Sequence, residues 1–180
     1  MMSKSSWGIF FIVILTFGFG SISRSQAQNS NVDFCEAITA ILRDAPNKFR
    51  NVRTNVVETG LNAMIYKSGV PVPGVISARF VANMGNFYEG GLVKTDSVYK
   101  LRTVYQHYDS LLNDCLGKQG FKRKYLENVY PGLEDYQKIA FFPPVGDAEN
   151  PAPIQGHVTV EAQYVKEMRA YFLILFIYEH

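Results

Sequence analysis

YFLILFIY, residues Tyr171–Tyr178, is a run of eight consecutive apolar or aromatic residues. A membrane-spanning helix needs about 20 such residues, so this run is too short to cross a bilayer. A segment that is apolar on both faces is typical of a strand buried in the middle of a sheet. The run therefore predicts a central strand, with helices covering one of its faces. The other face needs cover from a curled sheet edge, the 143–156 loop or a second protomer.

The rest of the sheet is predicted from the alternation of apolar and polar residues. In VISARFVAN (75–83), Ile76 and Phe80 fall on one face, whereas Ser77 and Arg79 fall on the other. Glycine, proline and asparagine separate such runs and predict turns between them. The other predicted strands lie at 61–68, 87–94, 121–130, 136–142 and 157–165.

Two helices are predicted from apolar residues spaced at helical intervals. In the first, Phe34, Ile38, Ile41 and Leu42 lie on one face. The second covers roughly 97–116, where apolar residues recur in alternating threes and fours. The predicted order is α-β-β-β-α-β-β-β-β. These patterns predict a single α+β domain in which two helices pack on an antiparallel sheet.

The two cysteines, Cys35 and Cys115, fall near the start of the first helix and the end of the second. If the helices pack antiparallel, the two thiols come within bonding distance. Redox-active cysteines usually stand close together, as in Cys-x-x-Cys, and a zinc site needs about four ligands. The spacing therefore predicts a structural disulfide, with two separately buried thiols as the alternative.

The first 27 residues have the three parts of a secretory signal peptide. Lys4 precedes a dense apolar run, and Ser25-Gln26-Ala27 follows with small residues at the cleavage positions. Cleavage would leave one domain at 28–180 and would remove Lys4 and Arg24 from the 18 basic residues but none of the 16 acidic ones. The mature chain would therefore have no net charge, which argues against a nucleic-acid partner. We expect an exported protein, periplasmic or extracellular, with no transmembrane segment in the mature chain.

Motifs for chemistry are missing from the sequence. It contains no Gly-x-Gly-x-x-Gly, no phosphate-binding Gly-Lys-Ser/Thr, no Gly-x-Ser-x-Gly and no His-Glu-x-x-His. His157, Thr159 and Glu161 would share one face of a strand and could hold a metal weakly with a third group. The simpler interpretation is the polar, exposed side of a half-buried strand. We therefore predict no catalytic residues, no metal site and no cofactor.

The sequence is rich in tyrosine and phenylalanine, with 11 and 13 respectively. Tyrosine supplies a large contact area with a polar end and is enriched where proteins bind partners. We expect a non-enzymatic binding or adaptor protein of the cell envelope, acting as a homodimer or with an envelope protein. The alternatives are a carrier of a small apolar ligand between helices and sheet, and an enzyme with an unrecognised site. The candidate binding residues are Tyr164, Tyr171, Phe172, Tyr178, His157 and Glu161.

Overall fold

A computed structural model describes residues 30–60, 62–82, 85–128, 130, 132–146 and 154–179. The predicted signal peptide at 1–27 and half of the 143–156 loop lie outside these residues. No helix in the described ranges is long and apolar enough to cross a membrane. The elements are helices α1 (Ser30–Asp44) and α2 (Val98–Gly117) and strands β1 (Arg53–Thr59), β2 (Met64–Ser68), β3 (Ser77–Ala82), β4 (Phe87–Thr95), β5 (Lys122–Leu126), β6 (Lys138–Phe142), β7 (His157–Val165) and β8 (Ala170–Tyr178).

The eight strands form one antiparallel sheet in the order β1-β2-β3-β4-β8-β7-β6-β5. The predicted α+β class is confirmed, and β8, which contains the apolar run, is central as expected. β1 is a strand that the sequence patterns did not predict. Its residues RTNVVET are almost all exposed, and its pairing with β2 is irregular at two points. Because neither face of β1 is buried, its sequence lacks the alternation of apolar and polar residues from which a strand is predicted.

Counted inward from either edge of the sheet, four strands follow one another in sequence order: β1 to β4 from one edge and β5 to β8 from the other. α1 is followed by the meander β1 to β4, and α2 by the meander β5 to β8. The last strands of the two meanders, β4 and β8, pair antiparallel in the middle. The domain is therefore two helix-plus-four-strand units joined through their final strands. This explains why the most apolar strand lies where the two units meet.

Both helices pack on the same side of the sheet. Their apolar faces and one face of the strands form a single buried cluster. The members of that cluster on the strands include every second residue of β7 and β8, as the period of a strand requires. Its members on the helices and strands include Phe34, Ile38, Ile41, Leu42, Leu101, Tyr108, Leu112, Leu116, Phe80, Tyr88, Ile139, Phe141, Val158, Val160, Leu175 and Ile177.

A disulfide joins Cys35 of α1 to Cys115 of α2, as predicted, with their Cα atoms 5.4 Å apart. The Phe34 and Tyr108 rings meet near it at 5.6 Å, and the Gln119 amide donates to the Thr39 hydroxyl. The start of α1 therefore lies beside the end of α2.

The Tyr88 hydroxyl is buried on the helix side without a hydrogen-bond partner. Burial, with a smaller contribution from Tyr108, raises its pKa above the usual value. An unpaired buried hydroxyl costs about 1–3 kcal/mol, so Tyr88→Phe should raise the free energy of unfolding by about 1 kcal/mol in urea denaturation. The matched control is Tyr105→Phe, which should lower it by about 1 kcal/mol because that hydroxyl donates to the Gln137 carbonyl at 2.7 Å. A loss of stability for Tyr88→Phe as large as the control's would contradict the prediction.

Candidate functional site

The face of the sheet that points away from the helices is the candidate site, and we call it the open face. No residue of the buried helix-side cluster belongs to it. It is defined by a row of seven residues that crosses the sheet through β2, β3, β4, β8, β7, β6 and β5. Each residue of the row pairs with the next, and the neighbouring rows on the same face belong to the open face as well. The seven are Lys67, Arg79, Glu89, Phe176, Thr159, Ala140 and Lys124.

Four neighbouring rings form a row across β4, β8, β7 and β6 at one end of the open face, which we call the aromatic row: Phe87, Tyr178, His157 and Phe142. The His157 and Tyr178 rings are 4.7 Å apart and nearly parallel, at 16°. Phe142 stacks on His157 at 5.6 Å, and Phe87 lies 5.8 Å from Tyr178. All four side chains are partly exposed. His157 therefore has both ring faces covered, by Phe142 and by Tyr178, and only its ring edges remain uncovered by this stack.

Phe176 extends the aromatic row toward the centre of the open face. Its ring lies 5.8 Å from the Tyr178 ring and 6.0 Å from the Phe87 ring. Unlike the four rings of the row, Phe176 is buried, although α1 and α2 lie on the other side of the sheet. The centre of the open face therefore contains a buried aromatic ring.

Charged side chains also lie on the open face. Arg79 pairs with Glu89 at 2.8 Å, and Lys138 pairs with Glu161 at 3.6 Å. The Lys124 ammonium lies 5.3 Å from the centre of the Phe142 ring, at the edge of the sheet. Cations at both ends of the rows therefore border the apolar centre.

Two buried polar atoms on the open face have no hydrogen-bond partner, Arg79 Nε and Thr159 Oγ1. Thr159 is only 2% exposed. Its hydroxyl is close enough to Tyr178 to influence the pKa of that group, but it makes no hydrogen bond of normal length. Burial, followed by the negative charge of Glu161, raises the Tyr178 pKa to about 12. Tyr178 is therefore a neutral hydroxyl at physiological pH.

The structure places four of the six predicted binding residues on the open face. His157 and Tyr178 are in the aromatic row, and Glu161 and Phe172 lie further along the same face. The remaining pair is separate: the Tyr164 and Tyr171 rings meet at 5.0 Å, and they lie on the helix side of the sheet. Their strand neighbours on that side belong to the buried cluster.

Sequence reasoning missed three aromatic members of the site: Phe87, Phe142 and Phe176. Phe176 lies within the apolar run, where no alternation separates one face from the other. Phe87 and Phe142 are at the first and last positions of their strands, and only the register across β4, β8, β7 and β6 aligns them. The sequence does place both aromatic residues at strand ends, but only the strand order shows that these ends lie side by side.

The weak metal site considered at His157, Thr159 and Glu161 gains no third charged ligand. Within the described residues, no group of three or more histidine, cysteine, aspartate or glutamate side chains is placed to hold a metal ion. His157 is stacked between Phe142 and Tyr178, and Glu161 is paired with Lys138.

Comparisons with protein-family models, with curated proteins and with solved structures find no match to this chain.

Proposed function

We propose that this chain is an exported, non-enzymatic binding or adaptor protein of the cell envelope, and that the open face is the surface that holds its partner. The observation that carries the proposal is the aromatic row, a set of partly exposed rings at one end of the four central strands, on the side of the sheet opposite to α1 and α2. A contiguous exposed aromatic surface rimmed by polar residues is characteristic of a binding site.

The helix side of the sheet offers less support for a carrier of small apolar ligands. Large side chains already fill the space between helices and sheet, among them Phe34, Phe80, Tyr88 and Phe141, each at most 1% exposed. A ligand in that layer would have to displace well-packed rings, which is costly in a close-packed interior. Binding on the open face requires no such rearrangement.

Export is supported by two independent features. The first 27 residues have the layout of a signal peptide. The disulfide between Cys35 and Cys115 is of the structural kind that persists in oxidising compartments. Both features favour a location outside the cytoplasm, periplasmic or extracellular.

The proposal is tested by native mass spectrometry of the tagged protein, purified gently from the envelope fraction of its host. We expect a stoichiometric complex with wild type and its loss with Phe87→Ala/Phe142→Ala. The matched control is Tyr164→Ala, which removes a ring that is 39% exposed on the helix side. Circular dichroism establishes that each variant is folded. A complex that survives the double substitution, or one that only the control abolishes, would refute the role of the open face.

A further inference from the structure

We infer that the partner of the open face is an acidic protein segment that also carries aromatic side chains. This inference rests on the proposed function and adds the chemistry of the partner. Two properties of the open face support the inference: the sign of its charges and the orientation of its aromatic rings.

The charges on the open face are predominantly positive. The described strands place six cations there and three carboxylates, and two of those carboxylates already have ion-pair partners at 2.8 and 3.6 Å. No ion pair joins Lys67, Lys122 or Lys124 to a carboxylate in the part of the chain that the structure describes. The six cations are Lys67, Arg79, Lys94, Lys122, Lys124 and Lys138, and the carboxylates are Glu58, Glu89 and Glu161.

This excess is local, because the mature chain as a whole would have no net charge. A surface that gathers cations on a neutral protein attracts an anionic partner and steers its approach. Lys67, Lys122 and Lys124 are exposed, so a carboxylate of the partner can reach each of them and form a charge-assisted hydrogen bond.

The rings of the aromatic row favour the same partner. Sugars and nucleic-acid bases bind aromatic residues by stacking on an exposed ring face. Here the faces of His157 are covered on both sides, by Phe142 and by Tyr178. The exposed ring edges carry the positive part of the aromatic quadrupole, so they suit carboxylates and the edge-to-face approach of another ring.

Two other occupants fit the open face less well. A second copy placed face to face would set its cations against cations of the same type, which disfavours that dimer. A bilayer needs apolar side chains that project and insert among the lipid headgroups. The rings of the aromatic row are half-buried against one another, so they offer little to insert.

The inference is tested with a defined probe, a fluorescent random copolymer of L-glutamate and L-tyrosine, by anisotropy titration of the purified mature protein. We expect saturable binding that weakens as salt is added, because the attraction between exposed charges is screened. Lys122→Gln/Lys124→Gln should weaken binding about fivefold, as expected for the loss of two rim charges. The matched control, Lys100→Gln/Lys118→Gln, removes two exposed lysines of the helix side and should leave the affinity unchanged.

Each alternative outcome overturns the inference. A copolymer of L-lysine and L-tyrosine that binds as tightly would exclude recognition of acidic groups. Binding to phosphatidylglycerol vesicles, without binding to the glutamate-tyrosine copolymer, would assign the open face to a membrane. A face-dependent complex in the native mass spectrum, with no affinity for the copolymer, would sustain the proposed function and refute the acidic partner. Equal losses for the two lysine pairs would show that the binding is nonspecific.

Discussion

Replacing Cys35 and Cys115 together by alanine is expected to lower the free energy of unfolding by about 4 kcal/mol. The bond closes a loop across a sequence separation of 80 residues. Such a loop restricts the unfolded chain, and the chain-entropy relation gives about 4.5 kcal/mol as an upper value. For a domain of this size, that loss corresponds to a fall of roughly 10 °C in Tm. Thermal and urea unfolding of the two proteins, both monitored by circular dichroism, measure the effect.

Wild-type protein treated with a reducing agent provides the control for this experiment. Reduction opens the same loop without removing any side chain, so its Tm should approach that of the double variant. The cysteines are buried or partly buried where α1 contacts α2, so a small additional loss from packing is expected in the alanine variant. A double variant that unfolds at the wild-type temperature would contradict the view that the bond holds α1 against α2.

Gly156→Val is expected to lower the free energy of unfolding by about 3 kcal/mol. Gly156 lies just before β7, where the chain passes between the end of β8 and the end of α1. A Cβ atom there would stand 2.7 Å from the carbonyl oxygen of Tyr178, 3.1 Å from Ala45 Cβ and 3.2 Å from Leu42 Cδ2. The first contact is with backbone, which cannot rotate away as a side chain can. The substitution should therefore push β7 away from α1, and urea denaturation measures the cost.

Gly117→Ala is the matched control for the steric effect. Gly117 is the last residue of α2, and a Cβ atom there would meet nothing within 4 Å. Alanine at a compatible helical position reduces the freedom of the unfolded chain, so stability should stay the same or rise by up to about 1 kcal/mol. Comparable destabilisation by both substitutions would show that glycine flexibility, and not the close approach to Tyr178, determines the result at Gly156.

The elements of this fold with one clear buried face could be predicted from the sequence. HVTVEAQYV was predicted as a strand and forms β7 at His157–Val165. The central position of β8 followed from its apolar faces, and the disulfide followed from the positions of Cys35 and Cys115. β1 was not predicted, because almost all its side chains are exposed.

The open face could be predicted only in part, because it depends on strand order. His157, Glu161, Phe172 and Tyr178 were identified from β7 and β8, which are consecutive in the sequence. Phe87 and Phe142 belong to strands that come next to this pair only through the β4–β8 and β6–β7 contacts. The doubled helix-plus-four-strand topology creates the β4–β8 contact, and local patterns do not reveal it. The same topology separates Tyr164 from the site by placing it on the helix side.

The central claim is that a partner protein binds the open face. Photo-crosslinking in the native host tests this claim most directly. A benzoylphenylalanine would replace Phe142 in the aromatic row, and in a second protein it would replace Tyr99 of α2, which is 81% exposed. The account predicts a discrete adduct from position 142, none from position 99, and a crosslinked peptide rich in aspartate or glutamate. No adduct from position 142, or an equal one from position 99, would contradict it.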